Sequence, residues 1–245
     1  MDLQRLSAVF LLFSATLLSM TVQSQSAGPA SAGPAAAGGN VVTISNPGIS
    51  LVLDYGNKAS ITSLVVNGQK VIGSEDGIFS SLTADGSTYS SLHLRSTPVL
   101  TRNNGSYTLS GIRYGDARLT ILENWIFTIN DRSIKWDIER SLSKPVRVEE
   151  AATPVINFDK TDTWEGAYQG YGGVAWFYLF NEDLCTYGVH THSADFWNSN
   201  TGNGLTIAVD AAGQKVAMKY TRTREKRLAC AITISDKEKI GRAHV

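Results

Sequence analysis

Residues 117–130 read ARLTILENWIFTIN, and residues 131–142, DRSIKWDIERSL, turn back on them. In the first run Leu119, Ile121, Glu123, Trp125, Phe127 and Ile129 fall on every second position. In the second Ile134, Trp136 and Ile138 do the same, with Lys135, Asp137 and Glu139 between them. A two-residue repeat puts alternate side chains on opposite faces of an extended chain. The stretch therefore predicts two long strands joined by a turn at Asn130-Asp131-Arg132, and strands of this length imply a large sheet.

Working outward, the same period recurs. Ile49, Leu51, Leu53 and Tyr55 alternate with Ser50, Val52 and Asp54; residues 60–66 (SITSLVV) are followed by Asn67-Gly68 and then residues 69–72 (QKVI). Asn-Gly between apolar runs signals a tight hairpin, because both central residues of a type I′ turn need positive φ. Further strand-like runs lie at 174–180, 205–209, 216–220 and 228–234. No stretch carries a three-to-four-residue apolar repeat of helix length. Many strands without crossover helices predict an all-β fold, two antiparallel sheets packed face to face as a β-super-sandwich. No fixed-period repeat points to a propeller or solenoid.

The ends have a different character. Residues 6–20 (LSAVFLLFSATLLSM) follow Arg5 and precede small and polar residues around Val22 to Ser26, so residues 1–26 read as a signal peptide. The run is shorter than the ~20 apolar residues that span a bilayer and is interrupted by hydroxyls. Residues 27–39 (AGPASAGPAAAGG) read as a flexible linker, having no large apolar side chain to bury. The sandwich is expected over residues 40–239. The last six residues, 240–245 (IGRAHV), read as translated sequencing adapter, which makes a further domain beyond Lys239 an expectation. The mature protein is then expected to be periplasmic or extracellular, with no membrane contact once the signal is removed.

Lysine plus arginine number 22 and aspartate plus glutamate 22, so net charge argues for neither nucleic acid nor an anionic surface. Arg222, Arg224, Lys226 and Arg227 read as a solvated hairpin end. Cys185 and Cys230 pair in an oxidising compartment or stay as buried thiols; both readings stay open. Asn104-Gly105-Ser106 is a glycosylation sequon, with meaning only in a secretory system that glycosylates. No cofactor signature is present.

The segment 162–197 carries the chemistry. It combines Trp164-Glu165-Gly166, Tyr168, Tyr171 and a Gly-rich turn with His190-Thr191-His192-Ser193-Ala194-Asp195-Phe196-Trp197. Sugars need aromatic faces for their C–H patches and directional partners for their hydroxyls. Trp164, Tyr168, Tyr171 and Trp197 are the candidate sugar platform, whereas Trp176, Phe177 and Tyr178 read as core. Glu165 and Asp195 are the candidate catalytic carboxylates, Glu165 because burial beside Trp164 would raise its pKa. His190 and His192, two apart, share one face of an extended segment. They suit an acid/base role, sugar hydroxyls or a strand end, and no third ligand at recognisable spacing supports a metal.

Residues 49–72 (ISLVLDYGNKASITSLVVNGQKVI) resemble the opening of the galactose mutarotase-like β-super-sandwich, a module that precedes an (α/α)6 barrel in bacterial six-hairpin glycosidases and some polysaccharide lyases. The resemblance implies an exported glycoside hydrolase acting on a polysaccharide or oligosaccharide, with its catalytic carboxylates in a C-terminal helical barrel of the same chain. The alternatives are a stand-alone carbohydrate-binding sandwich and a mutarotase-like epimerase or polysaccharide lyase domain using His190 or His192.

Overall fold

The computed structural model describes residues 4–11, 40–158, 164–168, 186–189, 191, 193–210, 215–222 and 228–235. These form eighteen strands: β1 (Gln4–Leu11), β2 (Val41–Ser45), β3 (Ile49–Asp54), β4 (Ser60–Val66), β5 (Gln69–Ile72), β6 (Ile78–Ala84), β7 (Ser87–Ser90), β8 (Val99–Asn103) and β9 (Ser106–Gly115) in the first half. The remainder are β10 (Thr120–Ile129), β11 (Ser133–Leu142), β12 (Val148–Phe158), β13 (Gly166–Tyr168), β14 (Thr186–Val189), β15 (Ser193–Asn198), β16 (Asn203–Asp210), β17 (Lys215–Arg222) and β18 (Leu228–Ser235). No described residue is helical.

The hairpin expected from residues 117–142 is β10–β11, in which Trp125 faces Ile138, Phe127 faces Trp136 and Ile129 faces Ile134. Asn67 and Gly68 both have positive φ, as their hairpin turn requires, at 48° and 80°. The strands make two antiparallel sheets. One has eight in the order β13-β15-β16-β1-β11-β10-β9-β8; the other runs β14-β17-β18-β12-β6-β4-β3-β2, with β5 on β4 and β7 on β6. The inward rows of both sheets share one core, to which Ile44, Leu51 and Ile78 of one sheet and Leu109, Trp125, Phe127 and Trp136 of the other all belong. The all-β two-sheet expectation is the observed fold. Trp136 stacks on Phe127 at 5.5 Å and meets Trp125 edge-on at 4.7 Å. Such pairs add ~0.5–1.5 kcal/mol each beyond the area they bury.

Two strands break the simple alternation. In β9, Tyr107 and Leu109 are buried, and then Ile112 and Tyr114. The register slips between Glu123 and Trp125, so that Ser110 and Gly111 stand opposite Asn124 alone. Gly111 has φ +78°, a bulge conformation that suits glycine, and its N–H donates to Asn124 Oδ1 at 3.2 Å. One extra residue restores the inward face. In β12, between β6 and β18, register shifts with both neighbours flank Pro154. A proline inside a sheet is tolerated at such a bulge, where no ladder hydrogen bond is asked of it.

The leader reading meets an unexpected placement. Gln4–Leu11, from the apolar start of residues 1–26, forms β1 in the interior of the eight-stranded sheet, antiparallel to β11 on one side and β16 on the other. The linker 27–39, residues 240–245, Cys185 and the run 174–180 lie outside the described residues. Cys230 is buried. Of the basic cluster, Arg222 ends β17, which pairs with β18, and residues 223–227 lie outside the described residues.

Candidate functional site

Two stretches that are distant in sequence meet at one end of the eight-stranded sheet. β13 pairs with β15, placing Gly166 opposite Trp197, Ala167 opposite Phe196 and Tyr168 opposite Asp195. On β15, Ala194, Phe196 and Asn198 are buried, while Asp195 is half-buried and Trp197 is 39% exposed. Across the ladder on β16, the buried Thr206 faces Asp195 and donates its hydroxyl to Asp195 Oδ1 at 2.5 Å. Because Gly166 stands across from Trp197, no side chain on that rung covers the indole.

The β15–β16 turn frames this row. Asn198 Oδ1 accepts the N–H groups of Asn200 and Thr201 at 3.0 and 3.3 Å, and Gly202 takes φ +67°. Such side-chain caps fix a tight turn without a backbone ladder. Asn203 Nδ2 donates to Gln69 Oε1 of the other sheet at 2.6 Å, anchoring the hairpin base. A groove of about 510 Å³ results, lined among others by Asp195, Trp197, Ser199, Gly202, Asn203 and Thr206.

The structure thus brings Trp164, Glu165, Tyr168, Asp195 and Trp197 to one sheet end. It also corrects two roles. Trp164 is no surface platform: it is 2% exposed, packs on Phe196 at 5.9 Å, and its Nε1 has no acceptor among the described residues. Glu165 is not buried either. It is exposed, and its Oε2 accepts both the N–H of Ser199, at 2.8 Å, and the Ser199 hydroxyl. Those donors hold its carboxyl below the ordinary glutamate range, the opposite of the upward shift expected from burial. Its backbone N–H donates to Trp197 O at 2.8 Å, so Glu165 ties the β13 entry to the β15–β16 turn. His190, His192 and Tyr171 lie outside the described residues, as does the Tyr168 side chain.

A second polar cluster was missed by the sequence reading. Glu123 has no solvent exposure, and its Oε1 accepts from Arg140 Nε at 2.6 Å, Tyr114 Oη at 2.7 Å and Ser80 Oγ at 2.8 Å; Oε2 accepts from Trp125 Nε1 at 2.8 Å. Arg140 also donates to Ser80 Oγ at 2.7 Å. Burial pushes the Tyr114 hydroxyl far above its usual range, and the Glu123 charge adds to the shift. For Arg140 burial works against the charge, but Glu123 outweighs it and the guanidinium is held more firmly protonated. Ser80 comes from the opposite sheet, so the cluster bolts the two layers together. Its signal was in the alternation: Glu123 and Arg140 occupy inward columns, and β10–β11 pairing sets them face to face. Sealed from solvent and fully engaged, it is structural.

Among the described residues no group of three or more His, Cys, Asp or Glu side chains is placed to hold a metal ion. No helix among them is long and apolar enough to cross a membrane. No protein-family model, no curated protein and no solved structure matches this chain.

Proposed function

We propose that this sandwich is the carbohydrate-recognising amino-terminal module of an exported carbohydrate-active enzyme of the glycosidase class, similar in plan to galactose mutarotase-like domains, and that it binds an oligosaccharide in the β13–β15–β16 groove. The observation that carries the reading is Trp197. An indole exposed on a sheet face, bare toward Gly166 and followed along the row by the half-buried Asp195 carboxylate, offers a stacking surface beside an acceptor for sugar hydroxyls. Bond cleavage is assigned to residues outside the described sandwich. Glycoside hydrolysis needs one carboxyl that holds a proton, and the Ser199 donors hold Glu165 below the ordinary glutamate range, a setting that works against that role.

Titrating the purified chain with a panel of soluble oligosaccharides by calorimetry tests the reading. Saturable binding without turnover is expected, weakened at least tenfold by Trp197→Ala with little change in melting temperature. Equal affinity in the variant, or no binding across the panel, would sink it. Turnover of a sugar, abolished by His192→Ala, would instead favour the epimerase or lyase alternative.

A further inference from the structure

The eight-stranded sheet is continuous only because Gln4–Leu11 lies within it. β1 makes eight register pairs with β11, from Gln4↔Arg140 to Leu11↔Ser133, and five with β16, from Ser7↔Asp210 to Leu11↔Thr206. Leu6, Ala8 and Phe10 stand opposite Ile138, Trp136 and Ile134, all core residues, and Ala8 and Phe10 also stand opposite Val209 and Ile207 of β16. On the alternate rungs Arg5 stands opposite Glu139, unlike charges at facing positions. The octapeptide thus matches the slot in direction, period and charge. Yet it belongs to the stretch whose composition is that of a cleaved leader, and residues 12–40 separate it from the next strand.

A strand that departs leaves two inner edges bearing unpaired N–H and C=O groups, which is the arrangement that recruits an extended peptide. We propose that β11 and β16 frame a strand-acceptor slot closed by the chain's own leader segment Gln4–Leu11. Leader removal then converts a filled sheet into a binding site for an extended peptide with apolar residues at alternate positions. Main-chain ladders on both sides supply affinity, and the core rungs at Ile134, Trp136 and Ile138 select the side-chain pattern. This inference does not depend on the glycan reading, although β16 belongs to both the slot and the groove.

The test uses the full chain with a specific protease site inserted between Ala36 and Ala37. After folding and native cleavage, the leader fragment should co-elute with the body on gel filtration. A fluorescent peptide of sequence QRLSAVFL should then replace it over time, while a scrambled peptide does not. The uncut chain should take up at least tenfold less label. Carrying Ala8→Pro in the same cleavable chain should release the fragment at once, because proline cannot donate to a ladder. The proposal is overturned if the unsubstituted fragment separates on cleavage and the body binds no peptide. It is equally overturned if uncut and cut chains take up label alike, or if scrambled and native peptides bind equally. The cleavage and exchange measurements need no substitution in the sandwich, so they decide the matter even if Ala8→Pro does not fold.

Discussion

Replacing Glu123 by glutamine keeps the volume of the core, removes the charge and turns one of two accepting oxygens into an N–H donor. In the native sandwich the Glu123 carboxylate compensates the Arg140 guanidinium at 2.6 Å in a site with 0% side-chain exposure for the glutamate and 6% for the arginine. Glu123→Gln leaves that cation buried without its counter-charge, and breaking a buried pair in this way costs roughly 3–5 kcal/mol. Native domains have total stabilities of only ~5–15 kcal/mol, so the variant should sit near the edge of folding. The double change Glu123→Leu with Arg140→Met removes both charges and, for an isolated ion pair, is often neutral or stabilising. Here it should not be. Tyr114, Trp125 and Ser80 also donate to the carboxylate. Ser80 and Tyr114 are 3.5 Å apart and can satisfy one another, but the Trp125 Nε1–H and part of the hydroxyl capacity are orphaned, at ~1–3 kcal/mol per buried group. The double variant should therefore remain ~2–4 kcal/mol below wild type. Urea unfolding followed by tryptophan fluorescence, with Trp125 and Trp136 as core reporters, measures both at constant m. A double variant as stable as wild type would show that the five-residue node is only an ion pair. A Glu123→Gln variant within 0.5 kcal/mol of wild type would refute the buried-charge reasoning altogether.

Ser199→Ala should raise the Glu165 pKa back toward the ordinary 4.5, because the Ser199 hydroxyl and its backbone N–H cause the depression, and carboxyl NMR titration reads the shift. The sign follows from linkage: a carboxyl depressed in the folded state contributes stability that is present above the unfolded value and lost as pH falls through the folded one. Asp116, depressed chiefly by the Leu119 N–H, acts in the same direction from an ordinary value of 3.8. Acid unfolding below about pH 4.5 should therefore flatten slightly in Ser199→Ala, and an unchanged Glu165 titration would refute the assignment. Gly77→Ala should destabilise far more than Gly68→Ala, since an added Cβ at Gly77 would lie 2.0 Å from Ile61 O while Gly68 has open space, both having positive φ. Gly68→Ala should cost ~1–2 kcal/mol; similar thermal shifts for the two would contradict this packing.

What the sequence revealed follows from what alternation can encode. Residues 60–66 and 69–72 coincide with β4 and β5 because apolar period, turn residues and strand ends all agree there. β9 was not read as a strand, because the bulge at Ser110-Gly111 switches its buried residues from odd to even positions. At the candidate site, Trp164, Glu165, Tyr168, Asp195 and Trp197 were legible as a cluster of residue types, and β13–β15 pairing does bring them together. Which face each occupies was not legible. Trp164 precedes β13, where no alternation constrains it, and it turns inward onto Phe196; the pKa of Glu165 depends on Ser199, thirty-four residues away.

The leader slot and the groove share a strand. β16 carries Thr206 and Asn203 of the groove along its pairing with β15, and its other edge is the one that β1 occupies. Among the described strands the hydrogen-bond ladder from β13, β15 and β16 to the rest of the eight-stranded sheet passes through β1 alone. With the slot vacant, those three strands are held by side-chain packing, through Phe196, Leu205 and Ile207 in the core, and by the Asn203–Gln69 hydrogen bond to the opposite sheet. Core packing of that kind is strong but does not fix the tilt of a strand as a ladder does. The spacing of Trp197 from Thr206 lies within the β15–β16 hairpin, whereas on the strand-acceptor proposal the angle of the groove to the body of the sandwich would follow whatever fills the slot. On that proposal strand occupancy and groove orientation are coupled through β16, the strand that both share.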